Sequence, residues 1–599
     1  MASRLLLLLA ALFAAVGCSQ AEKVVVDWDI GYVWGARDGY NYRRAIGVNG
    51  ALPIPPVYVT QGDTLILNVH NSLDVATSVH GHGIFYNGTS YLDGAGMVTQ
   101  CGIPPGESYT YVIEAHQVGT FWIHGHNHHQ NSDGLRTPFI IRERYQSPKY
   151  DEEVLFGLED WYKEESSIKM EQITAPTNAT TPPPPTFPYG LINGYNGNDT
   201  KPVNFVPGRR YRFRVVSMAT TEWFKFSIPG HKLEVIEADG IDCAPYVVDG
   251  LDIAPGQRFS AVVTALDQTE FNYIYNVTLY ADFVPRLRGM NPRYYQGLIQ
   301  YREGAPVKRL AVSSDAQLKW ANDLDMVALD GMGTLPVDRE FRLASQTMRT
   351  TDSRNLRMLH KYPYATPQVP TLFTAFTMGK LAMDPRVYGP QTAALVVPHL
   401  DAVQVRVGNP TDLVHSFHLH GNTFQVVEHG PVDPKTIVFS PGSNQTLANV
   451  PFIPVRRAGP VPMRRDTLVV PPFSYVDFRF RGDNPGAWMF HCHMDTHFAA
   501  GLAVTFVVAP DALQATQRLP KELQQMCLRQ GIKASGNVVG NQGYNFAGLP
   551  PAPVAVQTNG TQPALPPASG PHPAHGPAPS NTVASAQRAA PTSRPQSPN

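Results

Sequence analysis

The chain has 599 residues, which is too long for one hydrophobic core, so two to four domains are expected. Hydrophobic residues make up 43%, enough for globular folding, and 48 basic against 49 acidic residues give a net charge of −1. In this balance we see no excess of basic residues of the kind typical of nucleic-acid-binding proteins or of proteins that bind anionic membranes.

Residues 1–21 have the pattern of a secretory signal peptide. Arg4 is followed by an apolar run from Leu5 to Val16 and then by small residues, and the run is too short to span a bilayer. The letters AVGC at Cys18 also weakly resemble a bacterial lipoprotein box. No later stretch is long and apolar enough for a transmembrane helix or a GPI signal. We therefore predict a secreted chain, released unless a partner holds it at the membrane.

Two further features fit the secretory route. Six Asn-x-Ser/Thr sites are typical of a eukaryotic secreted glycoprotein: Asn87, Asn178, Asn198, Asn276, Asn444 and Asn559. Removing the signal leaves four cysteines: Cys101, Cys243, Cys492 and Cys527. Because that route is oxidising, an unpaired thiol in it needs a specific reason.

The chain contains a degenerate repeat of strand-like segments. The first segment of each copy alternates apolar and polar residues, as half-buried strands do: GDTLILNVHNSL (62–73), GRRYRFRVVSMA (208–219) and LDAVQVRVGNPT (400–411). Each is followed by a turn and a second strand: IPPGESYTYVIEA (103–115), IAPGQRFSAVVTA (253–265) and VPPFSYVDFRFRG (470–482). A third segment with histidines closes copies one and three, at 119–126 and 486–493, whereas copy two has FNYIYNVT (271–278) without histidine.

This rhythm of short strands and Pro/Gly turns predicts an all-β protein of three Greek-key β-sandwiches. Three unrelated β-domains are the alternative. The predicted boundaries are 22–145, 146–305 and 360–530, with 306–359 as a connector. Residues 531–599 are rich in Pro, Ala and Ser and lack apolar periodicity, so we expect a disordered tail.

Ten of the twenty histidines fall in four compact clusters. Copy one carries two of them, HGHG (His80, His82) and WIHGH (His124, His126). Copy three carries HSFHLHG (His415, His418, His420) and HCHMDTH (His491, His493, His497). Residues i and i+2 of a strand share a face, so each H-x-H pair can direct two imidazoles to one place. A lone pair would be read as surface histidines, but four clusters in two matching copies indicate a metal site.

Cys492 decides which metal is favoured. Imidazole alone suits copper, zinc, iron or nickel, but one thiolate with two imidazoles, His415 and His497, is the trigonal set of a blue-copper electron-transfer site. The neighbouring His491 and His493 point to the other face of the strand, towards an eight-histidine cluster. A zinc site is disfavoured, because ten ligands exceed a tetrahedral set and no open three-ligand set stands out.

With these motifs the sequence resembles the multicopper oxidases over roughly residues 25–530. The resemblance implies three cupredoxin-like domains and four copper ions, one of type 1, one of type 2 and two of type 3. By motif position it implies that the type 1 copper takes His415, Cys492 and His497 and the type 2 copper His80 and His418. It implies one type 3 copper on His82, His124 and His493, and the other on His126, His420 and His491.

The resemblance assigns further positions. The axial place of the type 1 site falls on Leu502, which cannot donate to copper, so a raised potential is expected. Cys101 and Cys527 take the places of a disulfide of laccase-like members, with two free thiols as the alternative. Cys243 is then left alone, and we expect it to be buried and inert. Asp93 and Asp495 stand where a carboxylate could relay protons for O₂ reduction, although Asp93 could equally be a turn residue before Gly94.

Several acidic residues bear on the identity of the electron donor. The sequence looks most like fungal iron-uptake ferroxidases and almost as much like laccases. Asp282 matches an iron-binding carboxylate of the ferroxidases, and Asp412 lies one position from another; a third acid is missing, since Thr181 takes its place. Glu222 lies one residue from a substrate-orienting acid of laccases. Each acid could instead be a solvated surface residue.

We therefore expect a secreted, monomeric oxidoreductase that uses O₂ and a small donor, with Fe(II) narrowly ahead of phenols or aromatic amines. The ferroxidases of fungi carry a C-terminal anchoring helix and work with an iron permease, whereas this chain ends in a polar tail. A permease is thus a possible partner only. From a different class of function, a copper-sequestering protein without turnover is the alternative, and it would not need Cys492.

Overall fold

The computed structural model describes residues 21–144, 150–177, 188–196, 200–280, 293–310, 317–432 and 456–556. Its strands build three consecutive β-sandwiches, which we call domain 1 (β1–β8), domain 2 (β9–β20) and domain 3 (β21–β33). All three belong to one compact unit that ends at Ala555. The predicted all-β fold with three cupredoxin-like domains is confirmed.

Domain 1 consists of two four-stranded sheets, in the orders β2-β1-β4-β6 and β3-β8-β7-β5. Its strands are β1 (Lys23–Gly35), β2 (Arg43–Val48), β3 (Val57–Thr60), β4 (Thr64–Asn71), β5 (Val79–His82), β6 (Ser108–Glu114), β7 (Gly119–Gly125) and β8 (Arg136–Arg142). Short 3₁₀ turns cover Ser90–Leu92 and Gln130–Asp133. The alternation seen in the sequence is that of half-buried strands: Leu65, Leu67 and Val69 of β4 are buried, and the residues between them are partly or fully exposed.

Domain 2 has a seven-stranded sheet, β11-β10-β9-β13-β18-β15-β16, and a five-stranded sheet, β12-β20-β19-β14-β17. The strands are β9 (Glu152–Trp161), β10 (Tyr189–Ile192), β11 (Tyr195–Asn196), β12 (Val203–Asn204), β13 (Arg210–Ser217), β14 (Trp223–Ser227), β15 (Leu233–Ala238), β16 (Ile241–Val248), β17 (Gly250–Ile253), β18 (Arg258–Thr264), β19 (Tyr273–Tyr280) and β20 (Arg293–Gln300). One helix, α1 (Ser166–Thr174), follows β9.

Domain 3 has a sheet in the order β21-β25-β31-β27-β28, with β29 also on β27, a five-stranded sheet β24-β33-β32-β26-β30, and a hairpin β22-β23. The strands are β21 (Arg339–Ala344), β22 (Gln346–Arg349), β23 (Asn355–Met358), β24 (Ala394–Val397), β25 (Ala402–Asn409), β26 (His415–Leu419), β27 (Phe424–Pro431), β28 (Arg456–Arg457), β29 (Arg464–Arg465), β30 (Thr467–Val470), β31 (Ser474–Arg481), β32 (Gly486–Cys492) and β33 (Ala503–Val508). Its helices are α2 (Thr371–Thr377), α3 (Asp495–Ala499), α4 (Pro510–Thr516) and α5 (Lys521–Arg529), and 3₁₀ turns cover Gly379–Met383, Pro385–Tyr388 and Pro390–Thr392.

Two segments differ from the sequence expectation. The segment 306–359, expected to be a connector, contains β21, which pairs in parallel with β25, so the third sandwich begins before residue 360. The tail expected to be disordered from 531 is ordered through residue 556. There the Asn537 side chain is buried and bonds the backbone at Gly543 and Asn545, while Val538 exchanges hydrogen bonds with Gln368 and Val387. Residues 557–599 lie outside the described part of the chain.

The hydrophobic cores are distributed unequally. One continuous core joins domain 1 to domain 3, from Trp28 and Leu65 on one side to Phe490 and Phe506 on the other. Domain 2 has its main core around Phe224, and it also contributes Trp223, Ala254 and Tyr280 to the first core. Among the described residues, no helix combines the length and apolar character required to cross a membrane.

Candidate metal centre

Two pairs of antiparallel strands carry the clustered histidines. In domain 1, β5 pairs with β7 so that His80 lies opposite His124. In domain 3, β26 pairs with β32 so that His418 lies opposite His491. Because alternate residues of a strand share a face, each pairing places four imidazoles on one side of its sheet.

Eight histidines meet where the two domains join: His80, His82, His124, His126, His418, His420, His491 and His493. Rings of domain 1 stack on rings of domain 3, with centroids 3.6 Å apart for His82 and His418 and 4.0 Å apart for His80 and His420. All of them except His126 are at most 3% exposed. The structure thus brings together all eight histidines that the sequence predicted to form one cluster.

Backbone carbonyls determine which nitrogen of several rings is free. Nδ1 of His80 lies 2.8 Å from the Asp93 carbonyl, and Nδ1 of His418 lies 3.0 Å from the Asp466 carbonyl. Nδ1 of His124 lies 3.1 Å from the Gly125 carbonyl. Since a carbonyl can only accept, each Nδ1 carries the proton, and the Nε2 lone pair of the same ring points into the cluster. These three Nε2 atoms are buried without a hydrogen-bond partner among the described residues.

Burial also keeps these rings neutral. It lowers the pKa of His124, His420 and His491 well below the ordinary value, and the neighbouring histidines lower it further. A buried nitrogen lone pair is unfavourable unless a hydrogen-bond donor or a metal ion interacts with it. Because no donor faces Nε2 of His80, His124 or His418 among the described residues, these rings fit the coordination of metal ions.

The ligand atoms fall into groups of the size that one metal ion needs. Those of His126, His420 and His491 lie within 4.8 Å of one another, as do those of His80, His418 and His420 and those of His80, His82 and His124. The rings of the predicted set His82, His124 and His493 lie 5.0, 5.5 and 5.8 Å apart. The cluster is therefore compact enough for several ions that share one cavity.

A second site lies on the opposite face of β32. The Cys492 Sγ is 3.7 Å from Nδ1 of His415 and 3.6 Å from Nδ1 of His497, and the two Nδ1 atoms are 3.1 Å apart. Nitrogen and sulfur ligands bond a metal such as zinc at about 2.0–2.3 Å, so a triangle of this size accommodates one ion. Nε2 of His415 is occupied by the Ser345 hydroxyl at 2.8 Å, which leaves Nδ1 for the metal.

Comparison with known proteins agrees with this geometry. Three family models described as multicopper oxidase match residues 29–146, 152–296 and 364–512. The iron multicopper oxidase fer1 of Mycosarcoma maydis is 35% identical over 596 residues, covering 93% of this chain and 92% of its own. The iron transport multicopper oxidase FET3 of Gibberella zeae is 35% identical over 550 residues, covering 90% and 85%.

The chain belongs to the multicopper oxidase family.

Solved structures give the same fold. Fet3p, described as a multicopper oxidase that functions in iron import, superposes with a TM-score of 0.76 at 27% identity and covers 90% of this chain and 100% of its own. The laccase of Botrytis aclada superposes with a TM-score of 0.69 at 24% identity, covering 86% and 92%, which shows the fold alone. As a multicopper oxidase, the chain is a copper-dependent oxidoreductase, and its histidine and thiol donors suit copper.

Asp93 and Asp495 both lie against the histidine cluster. The carboxylate of Asp93 is completely buried, with Oδ2 3.0 Å from Nδ1 of His420. Asp495 accepts a 2.6 Å hydrogen bond from the Ser132 hydroxyl. Burial raises the pKa of Asp495 to about 7. Asp495 lines a cavity of about 480 Å³ together with His126, His491 and His493.

The positions around Cys492 also follow the sequence analysis. Leu502 is completely buried, and its backbone bonds that of Cys492 and His497, so a residue without a donor atom is fixed beside the thiol. Cys101 and Cys527 form the predicted disulfide across 426 residues of sequence. Cys243 is buried, and burial raises its pKa to about 12, as expected for an inert thiol.

The acids predicted to bind the electron donor differ in their exposure to solvent. Asp282 and the Thr181 segment lie outside the described residues. Asp412 is half-buried, three residues before His415. Glu222 was expected near a donor, but it is only 1% exposed and lies 3.3 Å from the Tyr162 hydroxyl, where burial raises its pKa to about 8. A dissolved donor cannot reach a side chain buried in this way.

Sequence reasoning missed one residue of the cluster, Asp466. Its carboxylate is buried between His82 and His418, 3.2 Å from Nε2 of the first and 3.4 Å from Nδ1 of the second. The only signal in the sequence is a charged RRD triplet next to the strand TLVV, an unfavourable place for a carboxylate unless it is paired.

Proposed function

We propose that this chain is a ferroxidase, which oxidises Fe(II) one electron at a time and passes the electrons to O₂. The support is the family membership together with the similarity to the iron multicopper oxidase of Mycosarcoma maydis and the iron transport multicopper oxidase of Gibberella zeae, each 35% identical. Four Fe(II) ions, one O₂ and four protons would then give four Fe(III) ions and two water molecules.

The proposal assigns the ligands by site. His415, Cys492 and His497 would hold the type 1 copper, and His80 and His418 the type 2 copper. The type 3 coppers would lie on His82, His124 and His493 and on His126, His420 and His491. Bound copper supplies the one-electron redox chemistry, and Leu502, with no donor atom, would favour the reduced type 1 ion and raise its potential.

The single observation that carries electron transfer to O₂, as opposed to copper storage, is the position of Cys492 at the end of β32, between His491 and His493. Alternation along the strand turns the thiol to one site and the two imidazoles to the other. Three consecutive residues therefore connect the donor side to the O₂ side by covalent bonds. A copper-storing protein would have no use for such a connection.

Protons for O₂ reduction would pass through Asp93 and Asp495. Asp93 touches His420 directly, and Asp495 borders the cavity that contacts His126 and His491. A carboxyl group with a pKa of about 7, as burial gives Asp495, can both hold and release a proton near neutral pH. Asp282 and Asp412 are proposed as the Fe(II)-binding acids, because carboxylates stabilise Fe(III) more than Fe(II).

The test is O₂ consumption by the purified, copper-loaded chain with Fe(II) or with a phenol as donor. We expect Fe(II) to be the better donor, and we expect Asp282→Ala and Asp412→Ala each to lower kcat/KM for Fe(II) by about tenfold while the phenol rate is unchanged. Asp511→Ala, at an exposed acid on α4, is the matched control. Turnover with phenol but not with Fe(II) would indicate a laccase. Copper binding without O₂ consumption would indicate a copper-storing protein.

We also propose that the chain is secreted as a monomeric glycoprotein, with an iron permease as a possible partner at the cell surface. Asn87 is exposed and open to a glycan, whereas Asn276 is 9% exposed in β19 and accepts a hydrogen bond from Gln296. N-terminal sequencing of the mature chain, glycosidase treatment and light scattering test these points. A retained N-terminus or an unglycosylated dimer would contradict them.

A further inference from the structure

The carboxylate of Asp466 connects two rings of the histidine cluster. Its Oδ1 lies 3.2 Å from Nε2 of His82, 3.4 Å from Nδ1 of His418 and 2.8 Å from the Thr467 hydroxyl. Because a carboxylate only accepts, Nε2 of His82 must carry the proton, and the Nδ1 lone pair is left for a metal. That Nδ1 is buried and has no partner among the described residues.

A side chain of domain 2 determines how this carboxylate is oriented. Arg258, the first residue of β18, donates from Nη1 to Oδ1 and from Nη2 to Oδ2 of Asp466, both at 2.7 Å. Such a bidentate pair fixes the plane of the carboxylate as well as its position. Both residues are completely buried, so no water competes for either partner.

Arg258 is itself held by other contacts. Its Nε donates to the Thr120 carbonyl of β7 at 2.9 Å, and its Nη1 donates to the Gly256 carbonyl at 3.2 Å. Its backbone N–H donates to Asp239 at 2.8 Å. The guanidinium therefore contacts domains 1, 2 and 3 at one point, and it has no freedom to turn away from Asp466.

We propose that Arg258 is a positioning residue for the copper cluster. Although domain 2 supplies no ligand, its guanidinium orients Asp466, and Asp466 in turn fixes the tautomer of His82 and the ring of His418. The inference rests on the proposed assignment of His82 and His418 as copper ligands. Mutation of the residues that orient a metal ligand typically lowers metal affinity by about 10–100-fold, and we expect Arg258 to act in this way through Asp466.

The test is Arg258→Lys in the full, secreted chain loaded with copper. Lysine keeps the positive charge, but its single ammonium group cannot form the two parallel hydrogen bonds that the guanidinium makes with the Asp466 carboxylate. The matched control is Arg212→Lys, at an arginine of the same sheet that is 3% exposed and pairs with Glu237, away from the ligands. Copper per chain, the type 2 signal in electron paramagnetic resonance and the blue absorption of the type 1 site are measured in both variants.

We expect Arg258→Lys to lose the type 2 signal, with about 10–100-fold weaker copper retention under a chelator, while the blue absorption stays. Arg212→Lys should keep both signals. Full copper content and an unchanged type 2 spectrum in Arg258→Lys would overturn the inference, and so would equal loss of both sites. If the lysine variant does not fold, Asp466→Asn tests the same contact and should show the same selective loss.

The wild type separates this inference from the proposed function. A wild-type chain without a type 2 signal would contradict the ligand assignment itself. A type 2 signal that is present in the wild type and survives in both Arg258→Lys and Asp466→Asn would contradict the positioning role of Arg258 and Asp466 but not the ligand assignment.

Discussion

Different interactions hold the domains around the histidine cluster. Domains 1 and 3 are joined mainly by apolar packing, whereas domain 2 contacts the cluster mainly through polar groups. Domains 1 and 3 share one apolar core and supply every clustered histidine. Domain 2 has its main core elsewhere, around Phe224. It meets the cluster through a turn, 254–258, whose contacts are mostly polar, although Ala254 belongs to the shared core. In that turn the Pro255 carbonyl accepts from the Ser416 hydroxyl, Gln257 donates to the Thr467 carbonyl, and Arg258 pairs with Asp466.

These two kinds of interaction do different things for the site: apolar packing brings the strands together, and polar contacts orient the rings. Burial of apolar area is large but non-directional, so the shared core can bring two pairs of strands together without specifying how each ring is turned. Hydrogen bonds and ion pairs are directional, so the contacts from domain 2 can determine ring orientation and tautomer. A domain without ligands can therefore be necessary for a metal site.

Replacing Cys492 by serine should give the largest effect, because it removes the only soft ligand on the donor side. We expect Cys492→Ser to lose the blue absorption and all turnover, while the type 2 signal of the cluster remains. The measurements are visible absorption, paramagnetic resonance and O₂ consumption. The same substitution at Cys243, the buried thiol of domain 2, is the control and should leave turnover intact. Turnover retained in Cys492→Ser would contradict the proposed electron path.

A matched pair of core truncations compares the two regions directly. Phe490 of β32 and Phe224 of β14 are both completely buried, the first in the shared core and the second in the core of domain 2. Each change to alanine should lower the free energy of unfolding by about 3–5 kcal/mol. Only Phe490→Ala should also weaken the blue absorption, because it loosens the strand that carries Cys492. An equal loss of the blue absorption in the two variants, measured below their melting temperatures, would contradict the idea that the two cores have different roles at the site.

Gly256 gives a smaller and more local test of the contact from domain 2. Its φ is +86°, and a Cβ there would lie 3.0 Å from Cδ2 of His493 and 3.1 Å from Cε1 of His82. Gly256→Ala should lower stability by about 1–3 kcal/mol through backbone strain and should also reduce copper retention by displacing the two rings. Gly208→Ala is the control, since its φ is +76° but no atom lies within 4 Å of the added carbon. Equal copper content in both variants would show that the turn does not support the rings.

The sequence predicted the fold and the histidine cluster because both depend on local periodicity. H-x-H spacing places two rings on one face wherever a strand forms, and the copies of the repeat share their turns. Asp466 and Arg258 could not be predicted in this way, since their contact joins residues 208 positions apart in different domains. The same holds for β21, which pairs in parallel with a strand some sixty residues later. The burial of Glu222 was missed because an acid beside Trp223 gives no sign of which side faces solvent.

The smallest expected effect concerns Glu222 of domain 2, two residues from a second polar contact between domains 2 and 3. There the Asp495 N–H donates to the Thr220 carbonyl, and Lys169 lies over the Tyr162 ring at 3.0 Å. Burial and the nearby Asp160 raise the pKa of Glu222 from 4.5 to about 8. The folded state therefore holds a proton that the unfolded state releases, and the stability this provides is present below pH 4.5 and is lost as the pH rises through 8.

Glu222→Gln should remove this loss, so that its melting temperature falls less than that of the wild type as the pH rises from 4.5 to 8. The difference should be only a few degrees, because Lys169, whose pKa burial lowers to about 8, provides a nearby positive charge when Glu222 ionises. Melting curves across that window measure it, with Glu152→Gln, at a half-exposed acid, as the control. Parallel curves for Glu222→Gln and the wild type would mean that Glu222 already ionises at its ordinary pKa, and Glu222 and Lys169 would then form an ion pair within domain 2 at neutral pH.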